Sequence, residues 1–93
     1  MRDWRAQVMA KFNLDDLRQS LRAAAGEDES IDLNGDILDV EFADLGYDSL
    51  AILETASHIE RGFGVRLPED EVGDQHTPRD FVDFVNSVLA EKV

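Results

Sequence analysis

A chain of 93 residues that is 43% hydrophobic can bury one modest core, and its nine Lys and Arg against 21 Asp and Glu give a formal charge of −12. That balance excludes a nucleic-acid binder, whose phosphate contacts need clustered cations, and favours basic protein partners. No apolar run approaches the roughly 20 residues of a membrane span, and Met1, Arg2, Asp3, Trp4 and Arg5 lack the apolar stretch of a secretory signal, so a cytoplasmic protein with no membrane association is expected.

Residues 1–11 read as an N-terminal extension, expected to be a flexible tail, ahead of a domain over residues 12–93. Trp4, Val8 and Phe12 recur every four residues as a short apolar stripe. Asn13 suits a helix N-cap, Asp15 and Asp16 fill the first turn, and Phe12 can staple onto Leu17. Leu14, Leu17 and Leu21 then recur at helical spacing to about Ala25, where Gly26 ends the helix. From Glu27 to Tyr47 the spacing predicts a long loop, pinned to the core by Ile31, Leu33, Ile37, Leu38, Val40 and Phe42. There is no Lys or Arg from Ala23 to Glu60, so anything approaching that stretch meets a negative field.

A second helix begins at Ser49 with Asp48 as its cap. At 100° per residue Ile52, Ala56, Ile59 and Phe63 share a core stripe, Leu50, Glu54, Ser57 and Arg61 lie opposite, and Leu53 and Glu60 fall between. Asp48, Leu50, Leu53, Glu54, Ser57 and Glu60 thus form a candidate recognition face, an apolar centre with a charged rim. Gly62 and Gly64 end the run, Pro68 follows, and Glu69 to His76 leave room for one brief helix. Thr77 as N-cap, Pro78 at the first helical position and Asp80 two residues on open a last helix, with Phe81, Val85, Val88 and Leu89 as its buried stripe. The expected fold is all-α, a small four-helix bundle of three main helices and one short one, with a long loop between the first and second.

The segment Leu45-Gly46-Tyr47-Asp48-Ser49-Leu50 places one serine where a Gly-containing turn runs into a helix, and the chain has no cysteine. A helix N-terminus offers unpaired N–H groups and partial positive charge to an anion, and its first turn is reachable. Nothing nearby in sequence activates the hydroxyl: there is no G-x-S-x-G elbow, and His58 lies more than two turns down the helix. No catalytic residue is therefore assigned.

These six residues, followed by Gly64-Val65-Arg66-Leu67-Pro68, resemble the phosphopantetheine attachment motif of acyl carrier proteins over roughly Leu14 to Leu89. Asp32 to Asp39, and the approach Phe42-Ala43-Asp44-Leu45-Gly46-Tyr47, are most similar to the discrete carriers of bacterial type II, aromatic polyketide synthases, with Tyr47 the discriminating residue. The resemblance implies a non-catalytic subunit bearing 4′-phosphopantetheine on Ser49, which holds malonyl units and a growing polyketide as thioesters. It implies a monomer served by a phosphopantetheinyl transferase, a malonyl transferase and a ketosynthase with its chain-length factor, with a ketoreductase as a further candidate. A fatty-acid synthase carrier is the alternative within the family.

Two other readings compete. Ser30 to Glu41 follow an EF-hand calcium loop at positions 3, 5, 6, 8 and 12, but Ser30 replaces the first carboxylate, and Ile31 and Leu33 occupy polar positions, so no tight metal site is expected. Glu54 and His58, four apart, lack a third ligand nearby in sequence. His76 is assigned to the turn before the last helix.

Overall fold

The structure, a computed structural model, describes residues 12–26 and 33–92; the stripe of Trp4 and Val8 and the start of the calcium-like loop, Ser30 to Asp32, lie outside them. Four helices follow in order: α1 Leu14–Ala25, α2 Ser49–Phe63, α3 Glu69–Val72 and α4 Pro78–Lys92, with no strand among the described residues. α1 packs chiefly along α2, α4 closes against α1, and α3 touches α2.

Local chemistry sets the start of α1. Asn13 Oδ1 accepts the Asp16 N–H at 2.9 Å and the Asp16 carboxylate accepts the Asn13 N–H at 3.0 Å, a closed capping box. Phe12, just ahead, is held by a second clamp: its N–H donates to Asn86 Oδ1 at 2.8 Å, and Asn86 Nδ2 donates to its carbonyl at 2.9 Å. The chain thereby enters the fold tied to α4.

The core is one cluster in which Leu17 and Leu21 of α1 meet Ile52, Ala56 and Ile59 of α2 and Phe81, Phe84 and Val85 of α4. Phe42, Phe81 and Phe84 stack edge to face in series, at 6.0 and 6.2 Å between centroids. Phe63 departs from its expected place in the core stripe. It has the right angle but sits in the last turn of α2, where the partner helix runs out, so it is 38% exposed and meets Phe12 edge to face, at 5.3 Å between centroids. Thr55 is fully buried instead, because its hydroxyl donates to Ala51 O at 2.8 Å and leaves only its methyl to the core. Gly62 lies inside α2; Gly64, at φ 66°, ends it and donates to Glu60 O. On α4, Phe84 is buried while Val88 and Leu89 are half-buried.

The long connection is held by side chains and backbone together. Leu33, Ile37 and Phe42 are buried, Arg79 N donates to Leu38 O at 2.9 Å, and Phe42 N donates to His76 O at 2.9 Å. Asp39 and Arg79 form a two-point ion pair at 2.7 and 3.1 Å. That pairing holds the Asp39 carboxyl below the usual aspartate range, first through the hydrogen bond and then through charge, and it raises Arg79 for the same reasons.

Candidate functional site

Ser49 stands at the first position of α2 and is exposed. Two features put it there. Gly46 takes φ 89°, a conformation costly for any residue with a Cβ, and this lets Tyr47 N turn back to Phe42 O at 3.0 Å. Asp48 then caps the helix, its Oδ1 accepting the Ala51 N–H at 2.9 Å. The N–H groups of Ser49 and Leu50 precede any intrahelical acceptor, so the first turn points orphan donors outward beside the hydroxyl.

Tyr47 is buried, and its hydroxyl donates to the carbonyl of Gly26 at 3.0 Å. The residue before Asp48-Ser49 is thus bolted to the end of α1, which fixes the approach to α2 and gives a physical reason for a tyrosine there. A cleft of about 290 Å³ opens beside Ser49, with Phe42, Ile52, Leu53 and Val72 as apolar walls and Glu41, Gln75 and His76 as polar ones. Sequence periodicity missed it because its walls come from the loop, α2 and the α3 region together. A larger groove of about 640 Å³ lies further along α2 and excludes Ser49, so size alone does not locate the site.

The expected recognition residues divide. Asp48, Leu50, Glu54 and Ser57 are exposed, Leu50 at 62%, and Leu53 is half-buried between cleft and groove. Glu60 is different: its carboxylate accepts the Leu67 N–H at 2.7 Å, so it braces the chain after α2. Among the described residues, no side-chain base is hydrogen-bonded to Ser49, and no three His, Cys, Asp or Glu side chains converge as a metal site. In the described part of the calcium-like loop, arginines engage three oxygens: Arg18 donates to Leu33 O and Gly35 O, and Arg22 to Asn34 Oδ1.

Residues 15–85 match the family described as "Phosphopantetheine attachment site". The chain is 53% identical over 83 residues to the granaticin polyketide synthase acyl carrier protein of Streptomyces violaceoruber, covering 89% of this chain and 98% of that protein. It is 51% identical over 77 residues to the actinorhodin polyketide synthase acyl carrier protein of Streptomyces coelicolor, covering 83% and 90%. The chain belongs to the polyketide synthase acyl carrier proteins. Its fold agrees: the solution structure of the 3,7-dioxo-octyl actinorhodin acyl carrier protein from S. coelicolor matches with a TM-score of 0.82 at 46% identity, covering 91% of this chain and 99% of that one. The polyketide resemblance seen in the approach to Ser49 therefore holds over the fatty-acid and calcium alternatives.

The cofactor of this carrier is 4′-phosphopantetheine. The N-terminal turn of α2 fits such a group: it combines an exposed hydroxyl, orphan N–H donors for a phosphodiester and an open approach. Among the described residues, no helix is long and apolar enough to cross a membrane.

Proposed function

We propose that Ser49 is the attachment residue, and that this carrier presents malonyl units and growing polyketide chains to a type II polyketide synthase without itself catalysing a step. The observation that carries this is an exposed serine at the first position of α2, held open by Gly46 and Asp48, in a chain without cysteine. When bound, the arm supplies the thiol on which acyl groups ride as thioesters. Modification needs the Ser49 oxygen to form a bond to the phosphorus that bears the pantetheine arm as the pyrophosphate bond of coenzyme A breaks, with adenosine 3′,5′-bisphosphate as the leaving group. The hydroxyl proton must leave to a base, and none on this chain is hydrogen-bonded to Ser49 among the described residues. The phosphopantetheinyl transferase must therefore supply that base.

The cleft beside Ser49 mixes apolar walls with Glu41, Gln75 and His76, a lining suited to a chain that bears oxygens along its length. Exposed Asp48, Leu50, Glu54 and Ser57, with half-buried Leu53 among them, form the surface on which a malonyl transferase, a ketosynthase with its chain-length factor and a ketoreductase would dock in the cytoplasm. Glu60 contributes to that surface through its charge, since its oxygen is held by Leu67 N–H.

Thiol titration tests the reading directly. The unmodified chain, with no cysteine, should give no free thiol, and incubation with coenzyme A, Mg²⁺ and a broad-specificity phosphopantetheinyl transferase should give one per chain. A titre that stays at zero, with the helical circular-dichroism signal intact, contradicts the proposal.

A further inference from the structure

The outer stripe of α2 reverses sign along its length. Asp48 and Glu54 present exposed carboxylates at the Ser49 end, whereas Arg61 is exposed at the far end and Arg66 follows in the next segment. Arg61 stands eleven positions beyond Leu50, about 16.5 Å at the rise of an α-helix. Of the described arginines, Arg18, Arg22 and Arg79 are engaged with loop carbonyls and side chains. Arg61 and Arg66 have no hydrogen bond or ion pair among the described residues.

Both line the groove of about 640 Å³ that α2 makes with the segment before α3, over an apolar floor of Leu53, Val65 and Leu67. The lining also holds two carboxylates, Glu60, which accepts the Leu67 N–H, and Glu69, and neither forms an ion pair with Arg61 or Arg66 among the described residues. A chain of charge −12 has abundant carboxylates for its nine cations. Two guanidinium groups with no hydrogen bond or ion pair among the described residues, lining one groove, therefore offer open donors to a carboxylate, in contrast to the exposed Asp48 and Glu54 near Ser49.

We propose that this groove docks a carboxylate-bearing segment of the synthase enzyme that loads the carrier, its Asp or Glu engaging Arg61 and Arg66 while an apolar neighbour covers Leu53, Val65 and Leu67. A planar guanidinium accepts a carboxylate on two N–H groups, which adds geometric selectivity to charge. A partner that is basic opposite Asp48 and Glu54 and acidic opposite the groove can seat in one orientation only, with Ser49 toward its active site. This inference rests on the carrier reading above.

The test uses the full chain after phosphopantetheine addition, in three forms: wild type, Arg61→Glu with Arg66→Glu, and Arg61→Lys with Arg66→Lys. All three should be fully modified by a broad-specificity transferase, as read by mass, and keep the helical signal, since both arginines are exposed. With the malonyl transferase as probe, the double Glu variant should raise KM about fivefold at low ionic strength with kcat unchanged, and added salt should narrow the difference. The double Lys variant should stay within about twofold, because charge is kept and only the fork is lost. An unchanged KM in the double Glu variant overturns the proposal. So does a wild-type dimer in sedimentation velocity that the same variant abolishes, which would assign the groove to a second copy. A wild type that is never modified defeats the carrier reading itself, and this docking with it.

Discussion

Two glutamates on one helix illustrate how much a single backbone contact decides. Glu54 is exposed, whereas the Glu60 carboxylate receives the Leu67 N–H at 2.7 Å and braces the turn after α2. Hydrogen bonds to a charged group contribute about 1.5–3 kcal/mol, and an exposed site away from such features changes stability by within about 0.5 kcal/mol. Glu60→Ala should therefore lower the melting temperature by several degrees or more, while Glu54→Ala leaves it nearly unchanged; equal melting temperatures for the two variants would contradict the bracing role. Reversing both charges, as a reading of α2 as a simple two-faced helix invites, would mix a docking effect with a folding defect. The sequence exposes the angle at which Glu60 leaves the helix, but not that a backbone N–H seven residues on comes back to meet it. Backbone donors look alike whatever residue bears them.

Among elements, the long loop is legible in part. Leu33, Ile37 and Phe42 are readable as core anchors from their apolar character alone. The polar fastenings are not, because Arg79 and Asp39 stand forty residues apart, and Arg18 meets carbonyls at Leu33 and Gly35. Phe63 leaves the core stripe for a related reason: periodicity gives the direction of a side chain, and the end of a neighbouring helix decides whether anything covers it. The Asp39–Arg79 pair makes the loop sensitive to acid. Its hydrogen bond depresses the folded-state pKa of Asp39, so the stabilisation is present above the ordinary aspartate range near pH 3.9 and is lost as pH falls through the lower folded value. Asp39→Asn should be less stable than wild type at neutral pH, and the difference in melting temperature should shrink as pH drops below about 4. A difference that holds constant down to acid pH would show that Asp39 acts through something other than its charge.

Across the whole molecule, a chain of charge −12 carries exposed carboxylates at Asp48 and Glu54 near Ser49 and exposed arginines at Arg61, late in α2, and Arg66, just after it. The acidic end is legible in the sequence as a cation-free stretch from Ala23 to Glu60; the basic end depends on which arginines the fold leaves without a hydrogen bond or ion pair among the described residues. A charged rim acts mainly on association rate and is screened by salt, while an apolar contact is not. Glu54→Lys should accordingly raise KM for malonyl loading of the modified carrier at low ionic strength, with the effect fading near 1 M salt, and Leu50→Ala should weaken loading at every salt concentration. Full loading efficiency of Glu54→Lys at low salt would move the recognition face away from α2, toward the acidic loop between Asp36 and Asp44. All of this presupposes one covalent event, and intact-protein mass spectrometry after incubation with coenzyme A, Mg²⁺ and a broad-specificity phosphopantetheinyl transferase measures it directly. Wild type should gain a single phosphopantetheinyl group and Ser49→Ala none, with the same helical circular-dichroism signal; a modified Ser49→Ala chain, or a folded wild type that gains nothing, would contradict the account.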